Sequence, residues 1–136
     1  MKKIILILCA TIFILSGCEK KNNIDMNNIA TPDGLVHWNV IKVEGQTSGL
    51  VNDTISLDIY CPTSSGCDYI SEFVSDKNGN TILIKAFGNT RKDIPCTMAA
   101  LPIVAKFKFI SNSKGRFTLQ FINRDNSVIA YFLTIN

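Results

Sequence analysis

The run Lys106-Phe107-Lys108-Phe109 and, after a short polar turn, the run Arg116-Phe117-Thr118-Leu119-Gln120-Phe121-Ile122 decide the fold. In both, a large apolar side chain alternates with a charged or polar one. A period of two with one wet face marks half-buried strands of an antiparallel sheet. Phe107, Phe109, Phe117, Leu119 and Phe121 are therefore expected inside, and Lys106, Lys108 and Gln120 outside. Upstream, Ile55, Leu57 and Ile59 share one face, with Ser56 and Asp58 opposite. Strands read at 36–44, 54–61, 68–75, 81–87, 103–110, 116–122 and 128–135. Turn residues separate them. Residues 76–79 contain Asn78-Gly79, the strongest short hairpin signal, and 111–115 and 123–126 read as two further hairpins.

Short strands at this spacing, about seven in roughly 100 residues, predict an all-β, immunoglobulin-like antiparallel β-sandwich; a small β-barrel is the alternative. The chain has 136 residues, enough for one such domain. Its 14 basic and 11 acidic side chains give a net charge of +3. Loss of Lys2 and Lys3 with a leader would reduce that to +1, too balanced for the basic stripe of a nucleic-acid binder. With 46 % apolar and 18 % charged residues, the chain does not have a disordered composition. Its single histidine, His37, excludes any mechanism or metal site that needs two.

Lys2-Lys3 precedes an apolar run from Ile4 to Leu15. That run is too short for the roughly 30 Å hydrocarbon core of a bilayer and reads as a secretory signal. It ends in Leu15-Ser16-Gly17-Cys18, which resembles the lipobox of bacterial lipoproteins. The resemblance implies cleavage before Cys18, diacylglycerol on its sulfur and palmitate-type acyl chains that anchor the protein to a membrane. The expected organisation is a signal peptide over 1–17, a lipidated Cys18 with a flexible tether over 18–34, and a β-sandwich over 35–136. The tether is rich in Asn and ends in Thr31-Pro32-Asp33-Gly34, which has turn chemistry. Glu19-Lys20-Lys21 lacks the acidic cluster that resembles a surface-export signal, so the expected location is the cell envelope, on the periplasm-facing side of the outer membrane.

Cys9 leaves with the signal and Cys18 is lipidated, so Cys61, Cys67 and Cys96 remain and one must lack an intrachain partner. Cys61–Cys67 would close only a short turn. Cys67–Cys96 would pin the long irregular stretch 88–102, and Cys61–Cys96 is its rival. A second resemblance runs through Pro62-Thr63-Ser64-Ser65-Gly66-Cys67-Asp68-Tyr69, then Cys96-Thr97, then Lys114-Gly115-Arg116-Phe117-Thr118-Leu119-Gln120-Phe121. These segments resemble a group of small Bacteroidota lipoproteins with an Ig-like sandwich and no assigned activity. Asp68 displaces that group's aromatic by one position, and Cys61 is extra. The matched cysteines imply a Cys67–Cys96 disulfide, with Cys61 a buried free thiol.

Other constellations are weak. Ser64-Ser65-Gly66 does not complete a nucleophile elbow, because Pro62 stands where its first glycine belongs. Cys61, Cys67, Cys96 and His37 would make up a Cys₃His set, but their spacing is wrong and an oxidising compartment favours disulfides. No cofactor, metal site or catalytic residue is expected. His37 and Trp38 read as an edge and a core residue of the first strand. Asp53-Thr54-Ile55 resembles the D-[ST]-aliphatic sequon of Bacteroidota O-glycosylation, which makes Thr54 a candidate glycan site. The expected function is a membrane-anchored, non-enzymatic binding or accessory lipoprotein with a protein or saccharide partner, presented by the 62–66 turn and the long loop. The alternative is an envelope-assembly lipoprotein that contacts proteins through its edge strands.

Overall fold

The computed structural model describes residues 29–98 and 101–136; the expected signal peptide over 1–17 and the expected lipidation site Cys18 lie outside the described residues. Strands are β1 (Val36–Trp38), β2 (Lys42–Gly45), β3 (Ser48–Gly49), β4 (Ile55–Cys61), β5 (Asp68–Asn78), β6 (Thr81–Thr90), β7 (Ile103–Phe109), β8 (Gly115–Ile122) and β9 (Val128–Ile135). They form an all-β structure of two sheets. The small sheet runs β2-β4-β7. In the large sheet β5 covers one edge of β6, and β1 and β8 share its other edge. Beyond β8 come β9 and β3.

The expected first strand, 36–44, is two strands in two sheets. The chain leaves the large sheet after Trp38, buries Val40 to 2 % exposure between the sheets and joins the small sheet at Lys42. It then returns as β3, which the alternation did not reveal, to pair parallel with β9. β6 and β8 are also parallel, which corrects the expectation of wholly antiparallel pairing. The reason is connectivity. β7, which lies between them in sequence, belongs to the other sheet, so β8 re-enters the large sheet in the direction of β6.

The same crossover removes the hairpin expected at 111–115. β7 pairs with β4, and β8 with β9. The intervening segment is an arch between sheets, closed by buried Ser111, whose Oγ donates to the Ser113 carbonyl (2.9 Å) and accepts from the Ser113 amide (3.2 Å). The β5–β6 hairpin forms as expected, one residue later: Asn78 pairs with Thr81, and Gly79-Asn80 is the loop. Only Gly79 has positive φ (60°), the pattern of a II′ turn with glycine first.

Between the sheets, Ile55, Leu57, Ile59 and Cys61 face Ile82, Ile84 and Ala86, with Phe117, Leu119, Phe121 and Leu133 alongside. Phe109, Phe117, Leu119 and Phe121 are buried, and Lys106 and Lys108 are exposed, as the alternation predicts. Phe73, Phe107 and Phe121 meet edge to face at centroid distances of 5.5 and 5.8 Å, a favoured aromatic geometry. Gln120, expected outside, is half-buried, because the outer face of the large sheet is not fully wet. There Leu83 and Phe87 of β6, Ile122 of β8 and Ile29 form a second apolar cluster, with Leu35 and Val74 packed against it. Residues 29–34 were read as part of the tether; Ile29, at 5 % exposure, instead lies in this cluster. Its carbonyl accepts from Lys85 Nζ (3.5 Å), and the Gly34 carbonyl accepts from Asn89 Nδ2 (2.8 Å).

Candidate functional site: a cavity at one end of the sandwich

At the end of the sandwich where β4 crosses to β5 there is a cavity of about 390 Å³. One wall comes from the β4–β5 connection, Pro62, Thr63 and Ser64, with Asn89 and Thr90 from the end of β6. The other comes from Val36, Trp38 and Asn39 of the first strand and from Arg124 in the β8–β9 turn.

The first wall is organised by Asp68, the first residue of β5, which is 8 % exposed. Its Oδ2 accepts from the Ser64 amide (2.7 Å), the Ser65 amide (3.0 Å) and the Ser64 hydroxyl (3.2 Å). Its Oδ1 accepts from the Thr90 hydroxyl (2.5 Å) and the Ser65 hydroxyl (3.2 Å). Burial pushes this carboxyl up, but the bonds from Thr90, Ser64 and Ser65 outweigh it and hold the group down at about 2. Asp68 therefore stays ionised at neutral pH and ties the connection to the end of β6. A tight backbone approach adds to this. The Gly66 amide donates to the Thr97 carbonyl (2.9 Å), and a Cβ on Gly66 would lie 2.2 Å from Thr97 Oγ1.

The Cys67–Cys96 disulfide, with a Cα–Cα distance of 5.3 Å, fastens the same region to the long loop. Cys61 is a buried free thiol, pushed up to about 11 by burial. Thr63 Oγ1 donates to the Leu101 carbonyl (2.7 Å), a further tie between connection and loop.

The second wall exists because β1 ends at Trp38, leaving backbone groups that need partners. Asn123 Oδ1 accepts from the Val40 amide (2.8 Å), and Asn39 Oδ1 accepts from the Arg124 amide (2.9 Å). Arg124 Nε donates to the His37 carbonyl. His37 is on the opposite face of β1, with its ring 5.4 Å from that of Phe87 and its Nε2–H donating to the Ile122 carbonyl (2.8 Å). Burial lowers its pKa, the Ile122 bond opposes that shift, and Lys85 and Arg124 reinforce it. Trp38, read as a core residue, packs against the core and also lines the cavity. Its Nε1–H is buried with no acceptor among the described residues.

The sequence reading placed a binding end at the 62–66 turn and the long loop. The structure takes Pro62, Thr63 and Ser64 from that turn and, from the loop expected over 88–101, Asn89 and Thr90, which belong to the end of β6, but none of residues 91–98. Thr54, the candidate glycan site, is exposed just before β4 and does not line the cavity. The contribution of Trp38, Asn39 and Arg124 was missed. The available signal was a lone tryptophan beside Asn39, where the first strand breaks. Compared with known proteins, the chain matches no family model, no curated protein and no solved structure.

Proposed function

We propose that the chain is a non-enzymatic binding lipoprotein of the cell envelope, anchored through Cys18 on the periplasm-facing side of the outer membrane, with an Ig-like domain that holds a small ligand in the Trp38–Arg124 cavity. One observation carries this reading: a cavity of about 390 Å³ lined by an aromatic ring, a guanidinium and several convergent polar groups. That size and mixture suit small-molecule sites, which combine apolar walls with a few placed polar groups. The Ig-like character is supported by the first strand switching sheets and by β3 pairing parallel with β9; the parallel β6–β8 pair departs from that pattern. Against the edge-strand alternative stand Lys106 and Lys108 on the free edge strand β7 and the bulge at Ile70/Glu72 on the free edge strand β5. Both features blunt strand addition.

The test is amide chemical-shift mapping of the mature protein in detergent micelles against a panel of sugars, amino acids and short peptides. Binding should move the amides of residues 36–39, 63–64, 89–90 and 124. Shifts confined to β5 or β7, or no binder at all in the panel, would overturn the reading.

A further inference from the structure

Which groups of this cavity can donate a hydrogen bond to a guest, and which can only accept, follows from the bonds they already make. On the first wall the Ser64 and Thr90 hydroxyl hydrogens go to Asp68, and the Thr63 hydroxyl hydrogen goes to the Leu101 carbonyl. These three oxygens have only lone pairs left for a guest. The carboxylate behind them, Asp68, has both oxygens occupied. On the second wall the reverse holds. The Arg124 amide fixes the oxygen end of Asn39, whose Nδ2 hydrogens have no partner among the described residues. Arg124 uses Nε on the His37 carbonyl and keeps both Nη groups unpaired among the described residues. Trp38 Nε1–H is too deeply buried to be reached from the cavity, so Trp38 offers a guest only apolar ring surface.

The lining therefore offers acceptors from Thr63, Ser64 and Thr90, donors and a positive charge from Asn39 and Arg124, and apolar surface from Trp38, Val36 and Pro62. Among the described residues no carboxylate lines it. We infer that its ligand is a sugar acid, a hexuronate unit whose hydroxyls donate to Thr63, Ser64 and Thr90 and whose carboxylate accepts from Arg124. A guanidinium matches a carboxylate in a planar, two-bond geometry. The sugar ring's C–H face suits an indole. A neutral sugar would leave the guanidinium without a charged partner, and the three hydroxyl acceptors match the several hydroxyls of a sugar ring. This inference rests on the binding reading above and adds the ligand class to it.

Trp38 is the only tryptophan in the chain, so its fluorescence reports on this site alone. The mature protein in detergent micelles is titrated with glucuronate, with a hexuronate oligosaccharide and with glucose. Saturable change in Trp38 emission is expected with glucuronate, and at least about tenfold weaker binding with glucose, the ~1.4 kcal/mol that one charge-assisted contact supplies. Tighter binding of the oligosaccharide than of the monomer would identify the end of an acidic polysaccharide as the source; equal binding would identify the free acid. Arg124→Gln should weaken glucuronate about tenfold and so remove most of its advantage over glucose. Arg124→Lys should fall between, because it keeps the charge and loses the fork. Equal binding of glucose and glucuronate by the wild-type protein would overturn the inference, and that comparison needs no variant to fold. An unchanged glucuronate affinity in Arg124→Gln, or no response to any of the three sugars, would overturn it too. In each case the binding reading is judged separately by the amide mapping, whose panel extends beyond sugars.

Discussion

The outer faces of the two sheets differ sharply. On the small sheet Lys42 and Glu44 pair at 2.6 Å, Lys42 lies over the Tyr60 ring at 5.2 Å, and Asp58 pairs with Lys106. This is the solvated face of a strand that obeys strict alternation. On the large sheet Phe87, Leu83 and Ile122 are buried at 0–1 % exposure beneath Ile29 and Leu35. The cause is visible in β6, where Ile82-Leu83-Ile84-Lys85-Ala86-Phe87 is nearly continuous in apolar residues. Such a run belongs to a strand buried on both faces. The segment 29–35 covers the second of them. Cover ends before β9, where Phe132 is 67 % exposed on that same outer face, directly across from Thr118.

The largest test sets the two faces of the large sheet against each other. Phe121→Ala, in the core between the sheets, should cost about 3–5 kcal/mol in denaturant unfolding, and Phe87→Ala, on the outer face, should cost about as much. A loss below about 1 kcal/mol for Phe87→Ala would make that face an ordinary solvated one. Next, Ile29→Ala should cost about 2 kcal/mol, the low end for a buried isoleucine. The same change should move the first site of limited proteolysis from before residue 29 to between 30 and 35.

Smaller effects mark where the contrast stops. Lys106→Ala on the small sheet and Phe132→Ala on the large one should each stay within about 0.5 kcal/mol. A larger loss for Phe132 would mean that the second cluster extends onto β9. The smallest effect is electrostatic. Because burial against the outer cluster lowers the pKa of His37, the unfolded chain binds its proton first as pH falls. The stability that His37 contributes is complete above its ordinary value of about 6.5 and is lost as pH drops through that value toward the lower folded one. His37→Gln should therefore flatten the stability profile between about pH 7 and pH 5. An unchanged slope would remove His37 from the buried side of the comparison.

Much of the fold was legible because alternation is a local property. Phe109, Phe117, Leu119 and Phe121 could be assigned to the core from their immediate neighbours, and the Asn78-Gly79 turn announced its hairpin. The turn at 111–115 was not readable in the same way. A short polar segment has the same composition whether it joins paired strands or carries the chain from one sheet to the other. The disulfide was half legible. Counting cysteines left three pairings open, the resemblance implied Cys67–Cys96 with Cys61 free, and the structure has that bond, with a Cα–Cα distance of 5.3 Å.

By itself, the sequence determined the all-β class, the positions of most strands and the inward faces of β4, β7 and β8, because each depends on side chains two residues apart. Only the tertiary structure decided which strands pair, that β6 is buried on both faces, and that Trp38, Ser64, Thr90 and Arg124 enclose one cavity. Those four residues come from different segments of the chain, and no local pattern records their convergence. What brings them together is the sheet switch after Trp38, the Asp68 carboxylate that ties Ser64 to Thr90, and the Asn39–Arg124 bond across the β8–β9 turn.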